Sequence, residues 1–401
     1  MRRLLQVVLL AALGSLSCAA QQAGFRSVTF ANTTGQGSAT LSATAYYPAP
    51  TAGANVPMIA PPAGGYPVIV FLHGFTQLGS NYSRLGSYLA RRGYVVVLNN
   101  TGQFSGTLQA NDAKAYFGAL VAANAQTGGF FEAALDMSRA GLAGHSAGGA
   151  NTVQALADNP GYQCGCVFAP VNPGAAVTAQ VDVPLSVIQA EGDLITPWQL
   201  SGLPVYNAAT GVQGLRTYYR LDASGGHQNV AGLFVLSAND QAVWAATRRV
   251  MRGFFDHYLR VDQRGLGAVI GDRARSEPRL SQLSLSLESP ALWTAGNAWI
   301  GQTVTMHVAS QSGFAVLALA GSLGPPIPTP LGELRLNVAT LVMSLTQLVG
   351  AGSYTSTPLT IPADPTLVGT QLALQGIGKG TGTATALGLE LSGAALLSVQ
   401  F

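Results

Sequence analysis

Charged side chains are scarce in this chain. Lys and Arg number 20 and Asp and Glu 17, so charged residues make up 9% of 401, against roughly 25% in an average globular protein. Hydrophobic residues make up 48%, which excludes a disordered chain, since such chains have too little apolar surface to bury. The formal net charge is only +3 and no basic run exceeds two residues, so nucleic-acid binding is not indicated. The length favours two folded units with a sizeable core.

Cysteine is almost absent, with Cys18 near the N-terminus and Cys164 and Cys166 in the middle of the chain. Two cysteines separated by one residue can close only a small, strained disulfide ring, so disulfides are not expected to stabilise the fold. No His or Cys lies near this pair at the spacing of a metal site. We therefore expect neither a metal nor a cofactor.

The N-terminal apolar run, residues 4–13, is about half as long as a membrane-spanning helix requires. Two arginines precede it and small residues follow it at 15–20, which is the pattern of a cleaved signal peptide. We expect residues 1–20 to be removed and the protein to be secreted, outside the cell or to the periplasm, without a stable membrane span. Lipid attachment at Cys18 is the alternative. Ser15 stands where a lipoprotein signal usually has Leu, which favours plain secretion.

Short apolar runs and helical segments alternate through the first two-thirds of the chain. Residues 25–48 have the alternation and central turn of a hairpin. Continuous apolar runs at 67–72 and 94–98, with a helical segment at 82–92 between them, are typical of buried parallel strands in an α/β protein. The same reasoning predicts strands at 139–143, 166–169, 185–190 and 217–221 and helices at 150–157 and 238–259.

The character of the sequence changes after about residue 261. Residues 263–279 are rich in Gly and Arg and predict a linker, whereas residues 280–401 carry few charges and have short apolar segments between Gly/Pro turns. That pattern favours a small all-β, sandwich-like domain, in which residues 336–348 have a short helix as an alternative. We therefore predict a signal peptide at 1–20, an α/β domain at 24–262, a linker at 263–279 and a β-rich accessory domain at 280–401.

The motif Gly-His-Ser-Ala-Gly at 144–148 predicts a nucleophilic serine at Ser146. It follows a predicted strand and precedes a predicted helix, and such a tight turn raises the hydroxyl above the sheet. The helix N-terminus then favours a developing oxyanion. A tight turn with an incidental serine is the alternative, and the strand–turn–helix context argues against it.

A serine hydroxyl needs a base, and the chain has five histidines. His227 lies in a Gly-rich loop after a predicted strand and follows the serine, as the chain order Ser–Asp–His requires. The other histidines suit structural or surface roles better: His73, His145, His257 and His307. His227 is therefore the predicted base.

The predicted acid is Asp193, which follows the strand at 185–190. A carboxylate at the carboxyl end of a strand can orient the imidazole and stabilise its protonated form. Glu191 is a serious alternative, and Asp222 a weaker one. For the oxyanion, the backbone N–H groups of Ala147 and Phe75 are predicted, because donors come from the residue after the nucleophile and from the loop after an early strand.

These motifs together resemble the bacterial cutinase-like polyester hydrolases and their relatives in the dienelactone-hydrolase group, such as chlorophyllase and platelet-activating-factor acetylhydrolase. The matching stretches are His-Gly-Phe-Thr at 73–76, Gly-His-Ser-Ala-Gly-Gly at 144–149, Glu-Gly-Asp-Leu-Ile-Thr-Pro at 191–197, Leu-Pro-Val-Tyr at 203–206 and Gly-His at 226–227. The resemblance spans residues 25–259. It implies an α/β-hydrolase fold, a mostly parallel sheet flanked by helices, and a Phe75 ring beside the acyl site.

Some residues depart from the pattern of the polyester hydrolases. Ala147 stands where they commonly have Met, residues 169–173 lack their usual aromatic, and no disulfide can form near the end of the α/β domain. Trp198 is the residue we expect to supply an aromatic wall in substrate binding, with core packing as its alternative. These departures leave ester hydrolysis as the expectation without extending it to aromatic polyesters.

The sequence thus predicts a secreted, monomeric serine hydrolase of carboxylic esters, cutinase-like and with polyesters among its candidate substrates. The alternatives are an esterase of small esters, of the lipase or acetylhydrolase type, and a non-catalytic binding protein on the same fold. An intact Ser, Asp and His in the expected order argues against the last. For the β-rich domain we expect binding to a polymer or surface, with a purely structural role as the alternative.

Overall fold

The computed structural model describes residues 21–311, 313–349, 353–380 and 389–400. The predicted signal peptide, residues 1–20, with Cys18, lies outside the described residues. Within the part that is described, no helix has the length and apolar character needed to cross a membrane.

One large sheet organises the first part of the chain. Its ten strands are Gln22–Ala31 (β1), Thr40–Ala49 (β2), Gly53–Ala54 (β3), Tyr66–Leu72 (β4), Val95–Asn99 (β5), Leu135–His145 (β6), Cys164–Phe168 (β7), Leu185–Ala190 (β8), Leu215–Leu221 (β9) and Leu280–Leu287 (β10). They are ordered β10-β9-β8-β7-β6-β4-β5-β2-β1-β3. The six strands from β9 to β5 in that order run parallel, while β10 and β2 join antiparallel. The predicted mostly parallel α/β fold is thereby confirmed.

Helices cover both faces of this sheet. The α-helices are Ser83–Ala90 (α1), Gly106–Ala125 (α2), Ala147–Ala157 (α3), Ala175–Thr178 (α4), Gly202–Ala208 (α5), Ala238–Arg260 (α6), Gly265–Val269 (α7) and Asp272–Arg275 (α8). Side chains of α1, α6 and α7 share one core with Ile69 and Phe71 of β4, and those of α2, α3 and α5 share the other with Val68 and Val70. Alternate side chains of β4 therefore pack into opposite cores. Because both faces of this strand are buried, its sequence is a continuous apolar run.

The parallel strands bring their carboxyl ends to one edge of the sheet. Ser146 directly follows β6, Asp193 lies shortly after β8, and His227 lies in the loop after β9. Loops at this edge can approach one another, whereas each strand itself is fixed by its neighbours. The topology therefore gathers three distant parts of the sequence at one place.

Residues 263–279 differ from the predicted linker. They contain α7 and α8, and Leu266, Val269 and Ile270 are buried in the core beneath α6. The next segment, β10, pairs with β9 along the edge of the large sheet. Gly-rich composition concealed these helices, because their few apolar residues form no long periodic pattern. The segment therefore packs as part of the α/β unit.

The remaining chain is rich in strands, as predicted. A three-stranded sheet is formed by Ala291–Ala295 (β11), Thr303–Ser310 (β12) and Ser353–Thr360 (β17), and a five-stranded sheet by Gly313–Ala320 (β13), Leu341–Val349 (β16), Gln371–Lys379 (β18), Leu389–Leu391 (β19) and Ala395–Ser398 (β20). Leu323–Thr329 (β14) and Gly332–Leu336 (β15) form a hairpin. The short-helix alternative for residues 336–348 is wrong, because that stretch holds one 3-10 turn, Val338–Thr340, and then β16. Further 3-10 turns are Gly79–Tyr82, Asn229–Ala231 and Pro365–Leu367.

Candidate active site

Ser146 sits in a strained turn between β6 and α3. Its backbone has φ 57° and ψ −122°, a region that non-glycine residues rarely adopt and that is kept where a site needs it. Glycines make the turn sterically feasible: a Cβ on Gly144 would lie 2.2 Å from the Gly148 carbonyl oxygen, and one on Gly148 would lie 2.3 Å from the Leu72 oxygen. The small residues of the motif are therefore required by close backbone approach.

The structure brings Ser146, His227 and Asp193 together. His227 Nε2 lies 2.9 Å from Ser146 Oγ, and His227 Nδ1 lies 2.8 Å from Asp193 Oδ2. An ionised carboxylate can only accept, so Nδ1 carries the proton and Nε2 is free to accept from the hydroxyl. All three residues are at most 8% exposed, so little water competes for these bonds.

Asp193 is held by a shell of donors. Its Oδ1 accepts the backbone N–H groups of Ile195 and Thr196, and its Oδ2 also accepts from the Gln189 amide at 3.0 Å and the Thr196 hydroxyl at 2.7 Å. Burial by itself raises the pKa of Asp193, but hydrogen bonds from His227 and Thr196 outweigh burial and lower the pKa below its ordinary value. The carboxylate therefore stays ionised beside the imidazole.

The alternative acids are engaged elsewhere. Glu191 pairs with Arg220 at 3.1 Å and accepts a hydrogen bond from Ser281. Asp222 accepts from the backbone and hydroxyl of Ser224 in its own turn. Within the described residues, neither carboxylate forms a hydrogen bond or ion pair with His227, so the geometry favours Asp193 as the acid.

The two predicted oxyanion donors, Phe75 and Ala147, both line one small cavity of about 10 Å³, to which Gly74 and Asn151 also contribute. Neither backbone N–H donates to another main-chain oxygen among the described residues outside regular elements. A backbone N–H without a main-chain acceptor can stabilise a negatively charged oxygen, so both residues remain available for the predicted role.

Buried polar side chains that the sequence reasoning missed lie behind the Phe75 loop. The Gln109 amide donates to the His73 carbonyl oxygen at 3.1 Å and accepts from Asn151 at 2.6 Å. His73 Nε2 lies 3.0 Å from the Thr101 carbonyl oxygen. Burial lowers the pKa of His73. Polar residues on the buried face of α2 were the signal that could have revealed this support.

Two other histidines occupy structural positions. Both ring nitrogens of His145 are hydrogen-bonded, to Tyr82 and to the main chain of His227. His307 stacks on Trp293 with ring centroids 5.0 Å apart and bonds Ser356.

Trp198 lies against a cation. The Arg220 guanidinium carbon is 3.9 Å from the centroid of its ring, and Arg220 also pairs with Glu191. One face of the indole is therefore covered within the protein. Trp293, in the β-rich region, is buried and belongs to the core.

An apolar rim occupies the edge of the sheet at which Ser146 lies. Exposed apolar side chains occur on the loops that follow β4, β5, β7, β8 and β9, all at the carboxyl edge of the sheet: Phe75, Phe104, Val171, Leu194, Ile195, Leu200, Phe234 and Leu236. The rings of Phe75 and Phe104 meet edge to face, with centroids 6.0 Å apart. Exposed apolar groups clustered around one site indicate contact with an apolar partner.

Both cysteines of the described residues lie on β7. Cys164 and Cys166 are both free and buried, and burial raises the pKa of each thiol. No group of three or more His, Cys, Asp or Glu side chains arranged to hold a metal was found in the described part.

Comparisons with known proteins identify the family of this chain. A family model described as PET hydrolase-like matches residues 14–262. The bis(hydroxyethyl) terephthalate hydrolase of Streptomyces coelicolor is 30% identical over 165 residues, which is 41% of this chain and 48% of that protein. The chain thus spans about half the length of the curated relative that it matches. The resemblance stated from the motifs is confirmed, because the chain belongs to the PET hydrolase-like family.

Proposed function

We propose that the chain is a serine esterase of the α/β-hydrolase fold, with Ser146 as nucleophile, His227 as base and Asp193 as the acid that orients the base. The observation that carries the proposal is the continuous pair of contacts, 2.9 Å from Ser146 to His227 and 2.8 Å from His227 to Asp193. A hydroxyl needs this arrangement to attack an ester at neutral pH.

In the first half-reaction, His227 Nε2 takes the proton of the Ser146 hydroxyl as Oγ bonds to the ester carbonyl carbon. The carbonyl oxygen becomes an oxyanion, which the N–H groups of Phe75 and Ala147 stabilise. The carbon–oxygen bond to the alcohol then breaks while that oxygen takes the proton from His227. An acyl-serine remains and the alcohol leaves.

In the second half-reaction, a water molecule gives one proton to His227 as its oxygen bonds to the acyl carbon. The bond to Ser146 Oγ then breaks, and Oγ recovers the proton from His227. The carboxylic acid departs and the starting enzyme is restored. Asp193 remains ionised throughout and stabilises the imidazolium at each stage.

The apolar rim supports an extended, apolar ester as the substrate. Its exposed side chains come from five separate loops, so a polymer segment lying across the site would contact several of them at once. The segment between β7 and β8 holds one short helix, Ala175–Thr178, which favours an open site. The name of the Streptomyces coelicolor relative favours a small terephthalate diester as a second candidate substrate.

Three further parts of the proposal rest on the sequence. We propose that the chain is secreted, on the basis of residues 1–20, and that it acts as a monomer. For the β-rich region we propose a role in holding a polymer or surface, since its exposed apolar residues include Leu341, Val342 and Leu348 on a single strand.

The test compares wild type with Ser146→Ala on p-nitrophenyl esters from acetate to palmitate, bis(hydroxyethyl) terephthalate and an insoluble polyester film. Removing the nucleophile should lower kcat by about 10⁶-fold, as in other serine hydrolases whose triad serine is removed. Soluble products from the film would assign a polyesterase, and turnover of the small diester alone would assign a small-ester esterase.

A folding control accompanies this comparison. Thermal unfolding of Ser146→Ala should match wild type within a few degrees, because one hydroxyl is lost. Substantial activity in a pure Ser146→Ala preparation would show that Ser146 is not the nucleophile.

A further inference from the structure

Tyr82 lies between the two halves of the proposed catalytic machinery. Its hydroxyl accepts a hydrogen bond from the Gly74 backbone N–H at 2.9 Å and lies 2.8 Å from His145 Nδ1. His145 Nε2 in turn lies 2.8 Å from the main-chain oxygen of His227. The chain of contacts therefore runs from the loop that carries Phe75 to the loop that carries the base.

Only one assignment of protons satisfies every contact in this chain. The His227 carbonyl oxygen can only accept, so His145 Nε2 must carry a proton. Burial lowers the pKa of His145 to about 3, so the ring is neutral and its Nδ1 has only a lone pair. The Tyr82 hydroxyl must then donate to Nδ1 while its oxygen accepts from Gly74. All three bonds point in the same direction, which lets them polarise one another.

Close packing leaves this chain little freedom to rearrange. Tyr82 and His145 are each 1% exposed, and a Cβ placed on Gly74 would lie 3.3 Å from both the Tyr82 oxygen and His145 Nδ1. The His145 and His227 rings have centroids 4.6 Å apart. A shift of any one group would therefore be transmitted to its neighbours.

We propose that Tyr82 is a positioning residue, which acts through His145 to hold the oxyanion loop and the His227 loop in register. This inference rests on the proposed function, because it assigns Phe75 N–H to the oxyanion and His227 to proton transfer. Tyr82 fixes the N–H of Gly74, and Gln77 N–H fixes the Gly74 carbonyl at 3.0 Å. The Phe75 N–H belongs to the same planar peptide as the Gly74 carbonyl, so these bonds also fix the orientation of that donor.

Tyr82→Phe tests this role by removing one oxygen atom and keeping the ring. It leaves both Gly74 N–H and His145 Nδ1 without their buried partner, which is costly for each group. A loosened oxyanion donor weakens the transition state more than the bound ester, so kcat should fall while KM changes little. We expect a decrease in kcat of about tenfold, below the roughly 10²–10³ caused by losing an oxyanion donor entirely.

Tyr162→Phe is the matched control. Tyr162 is 1% exposed and its hydroxyl donates to the Ala113 carbonyl at 2.7 Å, on the α2 face of the sheet. The same atom is lost from an equally buried position, but one hydrogen bond is broken instead of two, so Tm should fall, and by less than in Tyr82→Phe. Its kcat should stay within twofold of wild type, because that bond supports no catalytic loop.

A double-mutant cycle with His145→Asn extends the test. If Tyr82 acts through His145, the double variant should lose little more kcat than the worse single variant. Independent, multiplicative losses would overturn the proposed route through His145, and an unchanged kcat in Tyr82→Phe would overturn the inference as a whole. Equal loss in Tyr162→Phe would also overturn it, by assigning the effect to general destabilisation.

An active-site titration keeps the two proposals distinguishable. A p-nitrophenyl phosphonate should label Ser146 of the wild type and release one p-nitrophenol per chain. In Tyr82→Phe the same labelling should be slower, because the tetrahedral adduct also uses the oxyanion donors. A wild-type protein that neither hydrolyses esters nor takes the label would contradict the proposed function. An active, labelled wild type with an unaffected Tyr82→Phe would contradict only the role of Tyr82. If Tyr82→Phe shows no cooperative unfolding transition, His145→Asn with the same titration decides between these outcomes.

Discussion

The interiors of the two regions are polar in different ways. In the α/β unit, residues 21–287, buried polar side chains on and beneath the loops near Ser146 each bond at least one other side chain: His73, Asn99, Gln109, Asp112, His145, Asn151, Gln189, Asp193, Thr196 and His227. In the β-rich region, buried polar side chains join strands: the Gln375 amide donates to the main-chain oxygens of Glu333 and Ser392, and His307 on β12 bonds Ser356 on β17. The first kind of contact fixes side chains, and the second joins strands.

The difference shows where function is located. Burying a polar group costs free energy unless its partners are supplied, so side chains that supply partners for one another are retained mainly where their positions matter. Thr101, for example, donates to the buried carboxylate of Asp112 beneath the oxyanion loop. Polar contacts that join strands stabilise a fold without implying chemistry. The following predictions test this distinction.

The largest effect should come from Asp193→Asn, which keeps the shape of the side chain and removes its charge. The amide cannot stabilise imidazolium and favours the wrong tautomer of His227, so kcat on p-nitrophenyl butyrate should fall by about 10⁴-fold. Glu191→Gln is the matched control, because Glu191 pairs with Arg220 and Ser281 instead. If Glu191→Gln lost activity while Asp193→Asn kept it, the acid of the triad would be Glu191 instead of Asp193.

A large effect on stability should follow Leu266→Ala, which tests where the α/β unit ends. Leu266 is 2% exposed and packs in the core under α6, so truncation should cost about 2–5 kcal/mol of unfolding free energy. In a true linker the cost would be near zero. Leu341→Ala, at a position that is 50% exposed, is the control, and urea unfolding of both variants measures the difference.

A smaller effect should come from His257, a buried polar residue outside the site. Its Nδ1 has no partner among the described residues, and burial lowers its pKa to about 4, against about 6.5 in an unfolded chain. Between these values the unfolded state binds more protons, so this residue makes stability fall as the pH falls. His257→Leu should therefore lose less Tm than wild type between pH 7.5 and pH 5.

His73 and His145 keep part of the acid sensitivity in that variant, because burial lowers the pKa of both. The measurement is the difference between the Tm at pH 7.5 and the Tm at pH 5 for each protein. A loss of packing in His257→Leu lowers its Tm at both pH values and so cancels in this difference. Equal changes in wild type and His257→Leu would mean that His257 is not a buried neutral group.

Much of the fold was predictable from short-range patterns. The buried parallel strands were identified because both of their faces are covered, which makes each a continuous apolar run, as in β4 and β8. The residues of the proposed triad were found because the elbow around Ser146 requires small residues and because chain order limits the partners. Nothing tests the predicted signal peptide, which stays a prediction.

Other features were beyond the reach of such patterns. Helix α2 was missed because its alanines are spread over all of its faces and its buried face includes Gln109 and Asp112. The sequence of this helix therefore shows no apolar stripe. At the edge of the sheet, β9 pairs with β10, some 60 residues further along the chain. The alternating Leu and Ser of β10 indicate a strand, but they do not predict which strand it pairs with. The role of Tyr82 depends on three contacts between distant segments, and no spacing reveals it.

The apolar rim has a consequence for how substrate preference can change. Its residues belong to loops that leave different strands, and the strands are held by cores that the rim residues do not enter. Substitutions on separate loops should therefore combine additively, except at Phe75 and Phe104, whose rings touch. Substrate range in this protein can thus evolve one loop at a time, with little risk to folding.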